Sequence, residues 1–195
     1  MMVSLAAIIL AGGFSSRMGM DKGLVPFRGK PMIQWSIEVA SSVTDHIMII
    51  ANQVGYEQFG HPVHHDLLIE KGPLGGIHAG LTYSNAVNNL VLACDLPMLN
   101  SAFIQHLVSE ISVQHNIVVP RVGNRLEPLC AVYHQDCLSK IENVAQSEDL
   151  SLQGFLANSN TKFIDLDQNS PNYSPYLFSN INSKEELELL ENIKQ

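Results

Sequence analysis

Nearly continuous apolar runs alternate with amphipathic stretches along this chain of 195 residues. The runs at residues 5–10, 46–51 and 89–93 are typical of strands that are covered on both faces of a parallel sheet. The intervening stretches repeat their apolar residues every three or four positions, which is the spacing of one helix face. Two of these stretches begin at Pro31 and Pro73, and proline favours the first turn of a helix. The pattern therefore predicts β-strands joined by α-helices.

The second half of the chain continues this pattern less regularly. A helix is predicted around Phe103, Leu107 and Ile111, and further strands are predicted at residues 117–119 and 129–133. The pattern leaves open whether one of these last two strands runs antiparallel to its neighbours.

The end of the chain carries a capping-box signature. Ser183 and Glu186 predict a last helix, which presents Leu187, Leu190 and Ile193 at helical spacing. Strands and helices that alternate in this way predict a three-layer α/β fold with a mostly parallel central sheet. The length falls within the roughly 100–200 residues of one domain, so a single domain over residues 1–195 is expected.

Composition narrows the expected partners and compartment. The net charge of −8 disfavours nucleic acid as a partner, because nucleic-acid footprints are normally basic. Cys94, Cys130 and Cys137 form no Cys-x-x-Cys pair, and this odd number of unpaired thiols suits a reducing compartment. Neither a basic leader nor an apolar run of about 20 residues is present, so a cytoplasmic protein without a membrane segment is expected.

A glycine-rich loop follows the first predicted strand. It contains Gly12, Gly13, Arg17 and Lys22. Glycines allow backbone N–H groups to approach phosphate oxygens, and the two basic side chains supply positive charge. In an open α/β sheet, ligands bind outside the carboxyl ends of the strands, which is where this loop begins. The chain lacks the P-loop and dinucleotide fingerprints, and the alternative interpretation is a turn with solvated basic residues.

Other candidate residues fall at the same predicted edge of the sheet. Residues 71–77 form a second glycine-rich loop before a helix, which suits either an anion site or close helix packing. Asp95 ends the third strand and is a candidate Mg²⁺ ligand, the alternative being a helix or turn cap. Asp66 leads into the second loop and is a candidate to face a nucleotide. His64 and His65 point to opposite faces of a strand, which disfavours a histidine metal site.

Five segments together resemble the molybdenum cofactor guanylyltransferases. They are residues 10–22 (LAGGFSSRMGMDK), 72–77 (GPLGGI), 94–97 (CDLP), 127–129 (EPL) and 178–187 (FSNINSKEEL). The first motif is shared with many nucleotidyltransferases, whereas its combination with the Asn180 and Asn182 ending is more specific. The resemblance extends over nearly the whole chain.

The resemblance implies a Rossmann-like nucleotidyltransferase that uses GTP, Mg²⁺ and Mo-molybdopterin. The residues that it implies for the guanine nucleotide are Leu10, Ala11, Gly12, Gly13, Lys22, Asn52, Asp66 and Asp95. Asp95 is also the implied metal ligand, and Asn180 and Asn182 belong to the acceptor side. Asn52 stands near a family asparagine at the end of the second strand, with Ile50 as the alternative position. A monomer is expected, with cofactor-biosynthesis proteins and molybdoenzyme chaperones as partners.

The chemistry assigns roles to three of these side chains. The terminal phosphate of the acceptor is itself the nucleophile, so the enzyme has to align two polyanions and neutralise the departing pyrophosphate. Asp95 would position Mg²⁺ across the phosphates, and Lys22 and Arg17 would stabilise the departing oxygens.

Rival functions remain open. Within the enzyme class they are a molybdopterin cytidylyltransferase and a sugar-phosphate nucleotidyltransferase. The pair Gly12 and Gly13 favours guanylyl transfer, since cytidylyl relatives usually resemble Leu-Ala-Ala-Gly at this point. A non-catalytic nucleotide-binding module is disfavoured because it would be free to lose Lys22 or Asp95, and both are present.

Overall fold

The computed structural model describes residues 5–12, 14–15, 20–68, 71–145 and 151–193. The strands are β1 (Leu5–Leu10), β2 (Phe14–Ser15), β3 (Met20–Asp21), β4 (Pro26–Phe27), β5 (Lys30–Pro31), β6 (Ile47–Ile50), β7 (Val63–His64), β8 (Asn88–Ala93), β9 (Ile117–Val122), β10 (Arg125–Leu126), β11 (Cys130–His134) and β12 (Thr161–Leu166). The α-helices are α1 (Met32–Ser41), α2 (Gly72–Tyr83), α3 (Ser101–Ser109), α4 (Cys137–Ala145), α5 (Leu152–Ala157) and α6 (Lys184–Glu191). Short 3-10 helices cover Lys22–Leu24 and Glu57–Phe59.

Eight of these strands form a central sheet in the order β10-β9-β11-β8-β1-β6-β7, with β12 along the other edge of β9. Strands β7, β6, β1 and β8 are parallel, so Ile8 in β1 lies between Met48 and Val91. Strand β11 is antiparallel to both β8 and β9, which answers the question that the sequence left open. The carboxyl ends of β1, β6 and β8 therefore meet at one edge of the sheet.

Helices cover both faces of the sheet. Successive residues of β1 point to opposite faces, and they pack in two different clusters. Ala7 and Ile9 belong to one buried cluster, which includes α1 and α3. Ile8 belongs to a second cluster, which includes residues of α2, α4 and α5. Gly80 of α2 packs so closely that an added Cβ would lie 2.5 Å from Cγ2 of Ile8. The predicted three-layer, mostly parallel α/β fold is confirmed.

The predicted helix starts also agree with the structure. Helix α1 begins directly after Pro31, and α2 carries Pro73 in its first turn. The capping box of α6 is present: the Ser183 hydroxyl accepts from the Glu186 N–H at 3.2 Å, and the Glu186 carboxylate accepts from the Ser183 N–H at 3.1 Å. Helix α3 ends before Ile111, which packs beside the core from the following turn.

The longest elements that the sequence did not predict are α4, α5 and β12. Strand β12 has only Leu166 fully buried, so it lacks the apolar run by which the buried strands were predicted. Helices α4 and α5 flank residues 146–150, which are not among the described residues. No helix in the described ranges is long and apolar enough to cross a membrane.

Candidate active site

A cavity of about 450 Å³ opens at the carboxyl ends of β1, β6 and β8, beside the N-terminus of α2. It is lined by seven of the predicted site residues: Leu10, Ala11, Gly12, Lys22, Asn52, Asp66 and Asp95. These residues come from distant parts of the chain. Six of them end or follow a parallel strand at the same edge of the sheet, and Lys22 reaches the cavity from the 3-10 helix that follows β3. Gly13 and Arg17 lie outside the described residues.

Lys22 and Asp95 form the charged centre of this cavity. The Nζ of Lys22 lies 3.5 Å from Oδ2 of Asp95, and the two side chains are 23% and 14% exposed. Burial raises the pKa of the Asp95 carboxyl, and the neighbouring Lys22 ammonium partly offsets that shift. The Lys22 ammonium also donates a hydrogen bond to Oδ1 of Asn182, which comes from the C-terminal segment. One cation is thus held between a carboxylate and an amide, in a position open to a ligand.

Asn52 and Asp66 form a reciprocal pair at the rim of the cavity. The Asn52 amide donates to the Asp66 carboxylate at 2.9 Å, and its oxygen accepts from the Asp66 backbone N–H at 3.0 Å. Ile50, the alternative to Asn52, is 3% exposed and borders the cavity with an apolar side chain. Asn52 is therefore the one of the two that offers hydrogen-bonding groups, and its contact with a nucleoside stays a prediction.

Helix α2 contributes its N-terminal turn. Gly72 and Gly76 border the cavity, and Gly72 has a φ of +54°, a conformation that favours glycine. A Cβ on Gly76 would lie 3.2 Å from Cδ2 of Leu10, and one on Gly75 would lie 2.8 Å from the Leu68 carbonyl oxygen. The second glycine-rich loop therefore fits both interpretations from the sequence. It allows close packing of α2, and it places the N-terminus of α2 at the cavity, as an anion site requires.

A second cavity, of about 650 Å³, lies on the other side of Asn182. Asn180 and Asn182 both line it, as do Arg125, Glu127 and Tyr176. The Arg125 guanidinium donates to the Glu127 carboxylate and, at 3.0 Å, to the carbonyl oxygen of Phe178. Burial raises the pKa of Glu127, and Arg125 partly offsets the shift. The hydrogen bond between Lys22 and Asn182 joins the two cavities.

Arg125 and Tyr176 were not among the candidates from the sequence. Arg125 stands two residues before the Glu127-Pro128-Leu129 motif, and that proximity was the available signal. Tyr176 is 40% exposed at the mouth of the second cavity and falls in a loop without a motif.

The neighbouring histidines have partners of their own. The ring of His64 stacks on Tyr83, with centroids 4.1 Å apart and planes at 11°. Nδ1 of His65 lies 2.7 Å from the carbonyl oxygen of Ala51. Within the described ranges, no three His, Cys, Asp or Glu side chains are grouped so that they could hold a metal ion by themselves.

A glycine-rich turn, a helix N-terminus, a cation and a carboxylate at the carboxyl ends of parallel strands are the features of a nucleotide-binding α/β protein. Residues 7–162 match the MobA-like NTP transferase domain. The chain belongs to this family of nucleotidyltransferases.

Individual relatives agree with that assignment over nearly their whole length. The chain is 33% identical over 186 residues to a Flavobacterium johnsoniae protein named "Probable molybdenum cofactor guanylyltransferase", covering 95% of this chain and 96% of that one. It is also 33% identical to the molybdenum cofactor guanylyltransferase of Vibrio parahaemolyticus, with 92% and 91% covered. The solved structure of molybdopterin-guanine dinucleotide biosynthesis protein A from Archaeoglobus fulgidus has the same fold, with a TM-score of 0.78, 22% identity, and 95% and 96% covered. The resemblance predicted from the motifs is confirmed.

Proposed function

We propose that this protein transfers GMP from GTP to the terminal phosphate of Mo-molybdopterin, which gives molybdopterin guanine dinucleotide and pyrophosphate. One observation carries the proposal: Lys22 bridges a cavity that holds the predicted nucleotide residues and a second cavity that holds Asn180 and Asn182. A transferase that joins two phosphorylated substrates needs two adjacent sites with a cation between them. The names of the relatives agree with these substrates.

The first cavity suits the guanosine triphosphate. Leu10, Ala11 and Gly12 line this cavity. The Ala11 N–H and the Leu10 carbonyl already bond to Ile50 and Cys94, so the carbonyl groups of Ala11 and Gly12 are the backbone groups proposed to hydrogen-bond the base. The Asn52 and Asp66 pair lies at the rim, within reach of the nucleoside. Lys22 and the N-terminus of α2 provide positive potential for the triphosphate.

The donor set at Asp95 fits Mg²⁺. A single protein carboxylate beside a phosphate site suits this ion, which usually binds one or two carboxylates, substrate phosphates and several waters. Mg²⁺ therefore does not require several protein ligands. This agrees with the described ranges, in which no three His, Cys, Asp or Glu side chains are grouped to hold a metal ion. When bound, Mg²⁺ would neutralise charge on the phosphates. Asp95 would hold it, and the partly buried position of that carboxylate would strengthen the interaction.

The second cavity suits the acceptor. A phosphate oxygen of the acceptor attacks the α-phosphorus of GTP, a new P–O bond forms, and the bond to the bridging oxygen of pyrophosphate breaks. The attacking phosphate needs no general base, so the residues act by alignment and charge neutralisation. Asn182 orients the Lys22 ammonium at the boundary between the cavities, and Lys22 stabilises the departing oxygens. We propose a monomer as the active unit.

A nucleotide panel tests the proposal. Pyrophosphate release is measured with GTP, CTP and ATP, each with and without Mo-molybdopterin and Mg²⁺. GTP should be preferred by at least about a hundredfold in kcat/KM, because each hydrogen-bonding group left unpaired by a wrong base costs about 1–3 kcal/mol. Equal or better use of CTP would refute the guanylyl assignment. Pyrophosphate release with GTP and a sugar phosphate in place of Mo-molybdopterin would refute the proposal that Mo-molybdopterin is the acceptor.

A further inference from the structure

The turn that carries Lys22 is attached to the protein through its neighbour Asp21. Asp21 precedes the 3-10 helix Lys22–Leu24, and its Oδ1 accepts a hydrogen bond from the Gly23 N–H at 3.2 Å. The residue is 8% exposed. Its other carboxylate oxygen, Oδ2, is buried and has no hydrogen-bond partner among the described residues. The few donors that do reach this carboxylate therefore matter for where the turn lies.

Tyr56 supplies the second donor to the same oxygen. Its side chain is fully buried in the core cluster beside β1, and its hydroxyl donates to Oδ1 of Asp21. Burial raises the pKa of this tyrosine, so it remains a protonated donor at neutral pH.

Gly23 is part of the same arrangement. A Cβ on Gly23 would lie 2.6 Å from the Tyr56 hydroxyl oxygen and 3.2 Å from Sγ of Cys94. A side chain at this position would push the hydroxyl away from Asp21, so the close approach of the two segments requires glycine. The Tyr56 hydroxyl thus rests against the backbone immediately after Lys22.

We propose that Tyr56 is a positioning residue for the transfer reaction. Its hydroxyl holds Asp21, Asp21 holds the turn at Gly23, and the turn places the Lys22 ammonium between Asp95 and Asn182. The proposal rests on the proposed function because its main readout is nucleotidyl transfer. It adds a residue that lines neither cavity.

Tyr56→Phe tests the proposal because it removes the hydroxyl and keeps the ring. The turn keeps other attachments, since the Val25 N–H bonds to the Lys22 carbonyl at 3.1 Å and the Val25 carbonyl accepts from Met32 N–H at 2.9 Å. The variant should therefore fold. Its kcat should fall roughly 10- to 100-fold, the usual effect of losing a group that orients a functional residue. The KM for GTP should change by less than about threefold, because Lys22 is expected to act mainly in the transition state.

A double-mutant cycle separates positioning from general destabilisation. In a Lys22→Ala background, Tyr56→Phe should lower kcat by less than about twofold, because the side chain that it positions is absent. Equal factors in both backgrounds would overturn the proposal. Ser84→Ala is the matched control: it removes a buried hydroxyl that bonds to Asn89 near the opposite ends of the strands, and it should leave kcat unchanged.

A second readout is independent of the reaction. The Gly23 amide proton, measured by hydrogen exchange, should exchange faster in Tyr56→Phe than in the wild type, and Ser84→Ala should not alter it. Unchanged exchange at Gly23 would overturn the proposal even if kcat fell. If the wild type produced no pyrophosphate with GTP and the acceptor, the proposed function would fail, and the exchange result would still decide whether Tyr56 holds the turn.

Discussion

Gly12→Ala separates base selection from stability, because the added methyl group would contact no atom of the residues that the structure describes. Within the described ranges, a Cβ at Gly12 would have no neighbour closer than 4 Å, and Gly12 does not have the left-handed φ that would strain an alanine. Gly12 nevertheless lines the cavity proposed for the nucleotide. The new methyl group is therefore expected to crowd the nucleotide in this cavity rather than the described core of the protein.

The expected magnitude follows from crowding. An extra methyl group in a well-packed site costs about 1–3 kcal/mol, which corresponds to a fall of about 5- to 150-fold in kcat/KM for GTP. CTP carries a smaller base, so its kcat/KM should fall by less than about threefold. The free energy of unfolding should stay the same or rise by about 0.4–1 kcal/mol, since alanine has less conformational freedom than glycine in the unfolded chain.

Two assays test this prediction side by side. Pyrophosphate release is measured with GTP and with CTP, and urea unfolding is measured on the same preparations. Gly75→Ala serves as a contrast, because its Cβ would lie 2.8 Å from the backbone carbonyl oxygen of Leu68 and should lower stability. An equal loss with both nucleotides, or no loss with GTP, would refute the reasoning that Gly12 leaves room for the purine.

The remaining predictions concern the charged pair. Asp95→Asn should keep the fold, as seen by circular dichroism, but lower kcat with Mg²⁺ by about two orders of magnitude; near-normal turnover would exclude Asp95 as the essential metal ligand. Lys22→Ala should cost about 2–4 kcal/mol of transition-state stabilisation. The control is Lys30→Ala, which removes a lysine of similar exposure that pairs with Glu38 and should leave kcat/KM within about twofold. A loss of activity below about threefold in Lys22→Ala would show that Lys22 does not contribute to the transfer. Stability should depend on pH through Asp95, whose pKa burial raises from 3.8 while Lys22 partly offsets the shift. Because the folded state holds this proton more tightly than the unfolded state, the stabilisation is greatest below the ordinary pKa and is lost as pH rises through the raised value. In urea unfolding without metal, the free energy of unfolding of the wild type should fall relative to that of Asp95→Asn as pH rises from the ordinary pKa to the raised pKa. A constant difference between the two proteins over this pH range would contradict the raised pKa of Asp95.

Much of the site could be predicted because its residues lie next to local patterns. Strands β1 and β8 are buried apolar runs, and the chemistry-bearing residues Gly12 and Asp95 come within two residues of their ends. A parallel sheet places such ends at one edge, so the order of the strands already implied the convergence. The assignment of Asp66 followed from the glycine-rich segment that comes after it.

The remaining contacts depend on tertiary packing that no local pattern reveals. The hydrogen bond between Lys22 and Asn182 spans 160 positions of the chain. Tyr56 lies in an irregular segment after β6, and nothing nearby in the sequence marks its contact with Asp21. The edge strand β12 does not alternate clearly between buried and exposed residues, because five of its six residues are partly or fully exposed.

The pair of Lys22 and Asp95 also bears on the order in which metal and nucleotide bind. The Lys22 ammonium lies 3.5 Å from the Asp95 carboxylate, so a divalent cation that binds this carboxylate has to enter beside a positive charge. A triphosphate offers Lys22 other anions and adds ligands for the metal, and we therefore expect Mg²⁺ to bind weakly alone and tightly with GTP. Removing the charge in Lys22→Ala should strengthen Mg²⁺ binding to the free protein and weaken the coupling between Mg²⁺ and GTP, while Lys30→Ala should change neither. Calorimetric titration of each variant with Mg²⁺, with and without GTP, measures both quantities. Weaker Mg²⁺ binding to free Lys22→Ala would show that Lys22 holds Asp95 in place for the metal rather than competing with it.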